Sequence, residues 1–132
     1  RAAEKKDRPP PFLAELRSAI RNEDANQAAN ILNEQVTESS DITLTEPDQL
    51  ALANLLQANG HRALAAEAYQ RYLTRWSSSA QATEVRLLLG LLLVRSLNKP
   101  DQAIPLLKQV MAERLDDSRR SLAERLLQEA AT

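Results

Sequence analysis

Apolar positions recur at helical spacing along almost the whole chain. Phe12, Leu13, Leu16, Ala19 and Ile20 mark a first helix, and Asn22-Glu23-Asp24 breaks it and supplies an N-cap for the next. The second helix places Ala28, Ile31, Leu32 and Val36 on one face, and Ser39 to Thr45 reads as a loop. Thr45-Glu46-Pro47-Asp48 then opens a third helix, with Thr45 as N-cap, Asp48 as the acid of a capping box and Pro47 in the first turn. That helix carries Leu52, Ala53, Leu55 and Leu56 and ends at Asn59-Gly60, where Gly can take the left-handed conformation. A fourth turns Ala65, Ala68, Tyr69, Tyr72 and Leu73 inward and Arg62, Glu67, Arg71 and Arg75 outward. Ser77-Ser78-Ser79 is the next break.

The fifth helix, about Gln81 to Leu97, is apolar nearly all round, which predicts neighbours on both sides. Asn98-Lys99-Pro100 turns into a sixth, in which Pro105 removes a backbone donor and is expected to kink or fray the first turn. Asp116-Asp117-Ser118 caps a seventh with Leu122, Leu126 and Leu127 inward, and Arg120 with Glu124 and Arg125 with Glu129 at i,i+4 spacing.

Composition narrows the class. Of 132 residues, 23 are Leu and 21 Ala, whereas Val, Ile, Phe, Tyr and Trp together number 12, too few for a β protein. There is no Cys, so thiolate metal sites, disulfides and cysteine nucleophiles are excluded. The apolar run Leu87 to Val94 falls short of the roughly 20 residues a membrane span needs. Residues 1–11 are charged and Pro-rich and read as a linker or lead-in, and 12–132 as one domain. A chain beginning with Arg rather than Met is expected to be part of a longer or processed protein. Residues 9–59 hold eight acidic and two basic side chains, and residues 60–100 two acidic and six basic. Such an asymmetry can orient a charged partner. Four aromatic residues and a net charge of −1 disfavour nucleic acid.

The helices also repeat. Ala28 is followed by Ile31, Leu32 and Val36, Ala65 by Ala68, Tyr69 and Leu73, and Ala103 by Leu106, Leu107 and Met111. The three alanines are almost evenly spaced along the chain, and Asn22, Asn59 and Asn98 precede them by six or five. A fixed period of this length is the signature of a helical solenoid. A small residue recurs where two helices of a hairpin cross closely, and Ala53 and Gly90 are its counterparts on the first helices.

With these residues the chain resembles the tetratricopeptide repeat family. Leu52-Ala53, Leu56, Gly60, Ala65 and Tyr69 stand in that family's order, Leu89-Gly90, Leu93, Ala103 and Leu107 follow it with one extra residue near the turn, and Phe12 to Val36 is a degenerate copy. The spacing of the alanines is longer than that family's repeat of about 34 residues, and its aromatic near the start of each first helix is missing. The resemblance implies a right-handed α-solenoid of three antiparallel helix pairs, at about 12–38, 46–77 and 81–115, with a capping helix at about 117–130. Another α-solenoid and a nonrepetitive bundle are the alternatives. It also implies a concave surface lined by the first helices, with Arg17, Arg21, Asn54, Gln57, Leu91 and Arg95 as candidate peptide-binding residues. Leu50 stands where some members of the family carry a Lys that clamps a peptide carboxylate, so that specificity does not transfer.

Catalytic chemistry finds little footing. His61 is the lone histidine, Glu113, Asp116 and Asp117 are better read as helix-end charges than as a cation site, and two glycines cannot build a phosphate loop. Tyr69 is expected in the core and Trp76 against the next repeat. The expected function is a noncatalytic protein-interaction module with no cofactor and no metal, whose partner is a protein or peptide. Two alternatives are a homodimerisation or docking domain that uses the apolar fifth and last helices, and the regulatory soluble tail of an enzyme tethered to a membrane through a segment upstream of Arg1. Cytoplasm and periplasm stay equally open.

Overall fold

A computed structural model describes residues 11–35 and 42–132. These form seven helices and, among the described residues, no strand: α1 Pro11–Arg21, α2 Ala25–Gln35, α3 Glu46–Ala58, α4 Arg62–Arg75, α5 Ala82–Arg95, α6 Pro100–Met111 and α7 Asp117–Ala131. Residues 1–10 of the expected linker, Val36 and the first part of the expected 39–45 loop lie outside the described residues. Among the described residues no helix is long and apolar enough to cross a membrane.

Helix starts follow local chemistry. Asp24 Oδ1 accepts from the Gln27 N–H at 3.0 Å, Thr45 Oγ1 from the Asp48 N–H at 3.3 Å and Asp116 Oδ1 from the Arg119 N–H at 2.8 Å, each satisfying a donor the helix itself leaves free. Pro105 does not end α6, which runs from Pro100 to Met111. Only the carbonyl one turn earlier loses its partner there.

The three short turns are built alike. Glu23, Gly60 and Asn98 all have left-handed backbones, with φ of 54°, 82° and 53°. Each stands at the same distance ahead of its helix's buried alanine, Ala28, Ala65 or Ala103. The residue after each donates its N–H back into the preceding helix: Asp24 to the Ala19 carbonyl at 2.9 Å, His61 to that of Leu56 at 2.9 Å, and Lys99 to that of Leu93 at 2.7 Å. Lys99 reaches back one residue further than the other two, which locates the extra residue in the third turn. Asn98 therefore corresponds to Glu23 and Gly60, whereas Asn22 and Asn59 stand one position earlier.

Extensive contacts join helices that are neighbours in the chain, together with α1 to α3 and α5 to α7. Ala28, Ala53, Ala65 and Ala103 have no exposed surface. At Gly90 the approach is closer still, because a Cβ placed there would stand 2.8 Å from Leu107 Cδ2. Tyr69 and Tyr72 are buried, and half-buried Trp76 leans on Tyr72 with ring centroids 5.3 Å apart. The apolar surface of α5 is taken up by α4, α6 and α7.

The described part of the loop before α3 contributes to the core, where Ile42 and Leu44 are buried. One expectation needs correction. The i,i+4 pairs on α7 give way to pairs between helices. Arg95 forks onto Glu129 with bonds of 3.1 and 2.9 Å, and Arg119 reaches Glu84 at 2.7 Å while also pairing with Asp116 at 2.7 Å. Arg120 instead donates to the Glu113 carbonyl at 3.5 Å. A bidentate guanidinium to carboxylate bond is stronger than a single exposed pair along a helix, which explains the choice of Glu129. The two α5 to α7 pairs span nearly the same length of chain, so the two helices lie side by side and run the same way.

The turns and the close approach yield two predictions. Gly60→Ala has room for its methyl but must hold a positive φ, and costs about 1 kcal/mol. Glu23→Gly relieves strain of about 1–2 kcal/mol, offset by roughly 0.4–1 of added unfolded-chain freedom, and so gains about 0.5 kcal/mol. Urea midpoints moving in opposite directions for the two variants are expected; a shared sign would contradict the strain assignment. Gly90→Val drives a branched side chain into Leu107, which has no exposed surface to retreat to, and should lose about 1–3 kcal/mol in the same titration. An unchanged midpoint would show that α5 and α6 can part at no cost.

Candidate functional site

Helix α3 carries polar chemistry at both ends. At its N-terminus, Glu46 Oε2 accepts hydrogen bonds from the Tyr72 hydroxyl and the Ser79 hydroxyl, each at 2.5 Å, and the two hydroxyls lie 3.1 Å apart. The Ser79 bond, then the Tyr72 bond, holds the Glu46 carboxyl below its ordinary 4.5. Burial first and the Glu46 bond second push the Tyr72 phenol up. One carboxylate thus ties α3 to α4 and to the turn that follows α4. A turn further on, buried Gln49 donates from Nε2 to the Ala68 carbonyl at 2.9 Å, which satisfies a polar group in an otherwise apolar contact.

Toward the other end of α3, the residues face a cleft. Ala51, Asn54, Leu55, Ala58 and Asn59, with Glu23 from the turn after α1, line an open cleft of about 530 Å³. Both amides have their orientation fixed by an intramolecular bond. The Tyr69 hydroxyl donates to Asn54 Oδ1 at 2.6 Å, leaving Asn54 Nδ2 as a donor. Asn59 donates from Nδ2 to the Leu55 carbonyl at 2.9 Å, leaving Asn59 Oδ1 as an acceptor. Burial, aided by the negative charge of Glu84, pushes the Tyr69 phenol to about 12, so this hydroxyl keeps its proton and its grip on Asn54 through neutral pH. A donor and an acceptor held beside a strip of Ala51, Leu55 and Ala58 suit an extended peptide, which presents alternating carbonyls and N–H groups.

The six residues expected on the binding surface fare differently. Asn54 lines the cleft. Gln57, also on α3, is half-buried, and its Oε1 is enclosed with no hydrogen-bond partner among the described residues. Arg17 is half-buried and donates to the Thr43 carbonyl at 3.2 Å, Arg21 is exposed, and Leu91 is half-buried. Arg95 is exposed but engaged by Glu129. Glu23, Ala51, Leu55, Ala58 and Asn59 are not among the six. Helical spacing from Asn54 could have found Ala51, Leu55 and Ala58 on its face, but nothing in the sequence brings Glu23 across from a turn two helices earlier. No protein-family model, curated protein or solved structure matches the chain.

The Glu46 bonds make an acid-side prediction. A carboxyl held below 4.5 in the folded state contributes stability that is fully present above 4.5 and is lost as pH falls below it. Glu129, lowered chiefly by its bond from Arg95, and Asp116, lowered chiefly by the Arg119 N–H, add to the same trend. The wild type is therefore expected to lose urea resistance between pH 6 and pH 3. Glu46→Gln, which cannot titrate, should lose less over that range, and equal losses would remove Glu46 from the acid response.

Proposed function

We propose that the chain is a noncatalytic protein-interaction module of the tetratricopeptide kind. Its three hairpins, α1–α2, α3–α4 and α5–α6, stack as a right-handed solenoid, α7 caps the last, and the first helices form the surface that takes a peptide or protein partner. The observation that carries this reading is the recurrence of one turn geometry. The left-handed residues Glu23, Gly60 and Asn98 are almost evenly spaced along the chain, and the carbonyls of Ala19, Leu56 and Leu93, which the following residues cap, are evenly spaced. The extensive contacts among the described helices all join neighbouring or next-but-one helices, which supports it, since stacked repeats touch only their neighbours. The α5 to α7 pairs step along the chain by nearly one such interval, which supports α7 as the first helix of an unfinished fourth unit.

The face made by α1, α3 and α5 is the proposed binding surface, with Asn54 at its centre. The amide held in place by Tyr69 is one of its fixed polar groups. Ala51, Leu55 and Leu91 add apolar contact, and Arg21 adds an exposed guanidinium.

Selection of binders from a random peptide library displayed on phage tests the reading. A shared sequence motif is expected, and binding of the selected peptide should weaken about fivefold or more in Asn54→Ala, with helical circular dichroism unchanged. Selected peptides that bind Asn54→Ala and Leu91→Ala as tightly as the wild type would overturn the surface.

A further inference from the structure

The α3 cleft is acidic by construction. Among the described residues, Glu23 is the one ionisable side chain lining it, and its carboxylate has no hydrogen-bond or ion-pair partner. The cleft also gathers two helix C-termini: Glu23 follows the last turn of α1, and Ala58 and Asn59 close α3. The carbonyl ends of helices carry partial negative charge, which favours a cation within the last turn. Asn59 adds a further acceptor, Oδ1, because its Nδ2 is spent on Leu55. Arg17 is turned to the Thr43 carbonyl, and Arg21, in the last turn of α1, lies outside the cleft lining.

The backbone of Glu23 adds an independent observation. At the equivalent place in the other two turns stand Gly60 and Asn98, the residue types that tolerate a left-handed conformation. Only the first turn puts a long carboxylate there, at a cost in strain, and only that turn's residue lines this cleft. Strain held at a position that presents a charge to a cleft points to use of that charge.

We infer that the cleft binds a cationic segment of a partner protein by a Lys or Arg side chain. The charged head meets Glu23 and Asn59 Oδ1, the aliphatic stem lies along Ala51, Leu55 and Ala58, and Asn54 Nδ2 donates to a main-chain carbonyl beside it. This assignment rests on the peptide-binding reading above and adds the sign of the charge that is recognised.

The test uses three short peptides, blocked at both ends and identical except at the centre, which is Arg, norleucine or Glu. Each is titrated into the whole chain and followed by the amide NMR signals of residues 23 and 51–59. The Arg peptide is expected to move these signals, to bind about fivefold more tightly than the norleucine peptide, and to weaken as salt rises. Glu23→Gln and Glu23→Gly should both remove the preference, the second without lowering the thermal midpoint, so that loss of binding cannot be loss of fold. Equal binding of the Arg and norleucine peptides, or unchanged preference in Glu23→Gln, would overturn the cation assignment while leaving a peptide-binding surface standing. No movement at residues 51–59 with any of the three peptides would overturn it too. Failure of the library selection as well would then bring down the wider reading.

Discussion

The structure depends on how closely paired helices can approach, and that distance is set by a few side chains that are nearly absent. Ala28, Ala65 and Ala103 are fully buried in the second helices, and Gly90 brings α5 against Leu107 with no space for a methyl. Close approach lets a connection of three or four residues join the helices, and so brief a connection demands a left-handed residue to reverse direction. Small residue and left-handed turn are thus two parts of one constraint. Leucines enter as the filling between helices already spaced by the alanines: Leu16, Leu52, Leu56, Leu89, Leu92 and Leu107 are all enclosed.

Once the hairpins are spaced in this way, polar groups decide how they are tied to one another. Glu46 links the start of α3 to Tyr72 and Ser79, Gln49 links α3 to the α4 backbone, and Arg95 and Arg119 hold α7 beside α5. Most of these ties are exposed or half-exposed, so their contribution to stability is modest and their value lies in register. A separate tie orients one group of the cleft. Tyr69 is buried because it packs between α3 and its neighbours, and its hydroxyl then fixes which way the Asn54 amide faces. Core packing and the orientation of a cleft amide are joined in that single side chain.

How much of this is legible in the sequence follows from range. Helix limits, the caps at Thr45 and Asp116, the Gly60 turn and the buried alanines are local or periodic, and sequence spacing locates them. Ile42 and Leu44 look like loop because a short extended stretch has no helical period, yet they are core. The Glu46 network and the α5 to α7 pairs join side chains that lie whole helices apart in the chain. Such pairs depend on which helix packs on which, and no local pattern records that. For the same reason nothing in the sequence shows that Arg95, expected on a binding surface, is engaged by Glu129.

The charge pattern changes meaning for the same reason. Along the sequence the acidic stretch of residues 9–59 and the basic stretch of residues 60–100 both look able to orient a charged partner, but several of these side chains are engaged within the fold. Arg75 lies 4.8 Å over the Trp76 ring, Arg86 donates to the Ser77 carbonyl at 2.8 Å, and Arg95 is held by Glu129. Part of the acidic charge is likewise engaged, through Glu46 and its two hydroxyl donors. Glu23 differs, since it faces a cleft and meets no cation among the described residues. Hydrogen bonds and ring contacts hold the engaged side chains in place without cancelling their charge, and only an ion pair such as Arg95 with Glu129 removes a charge from the field around the molecule.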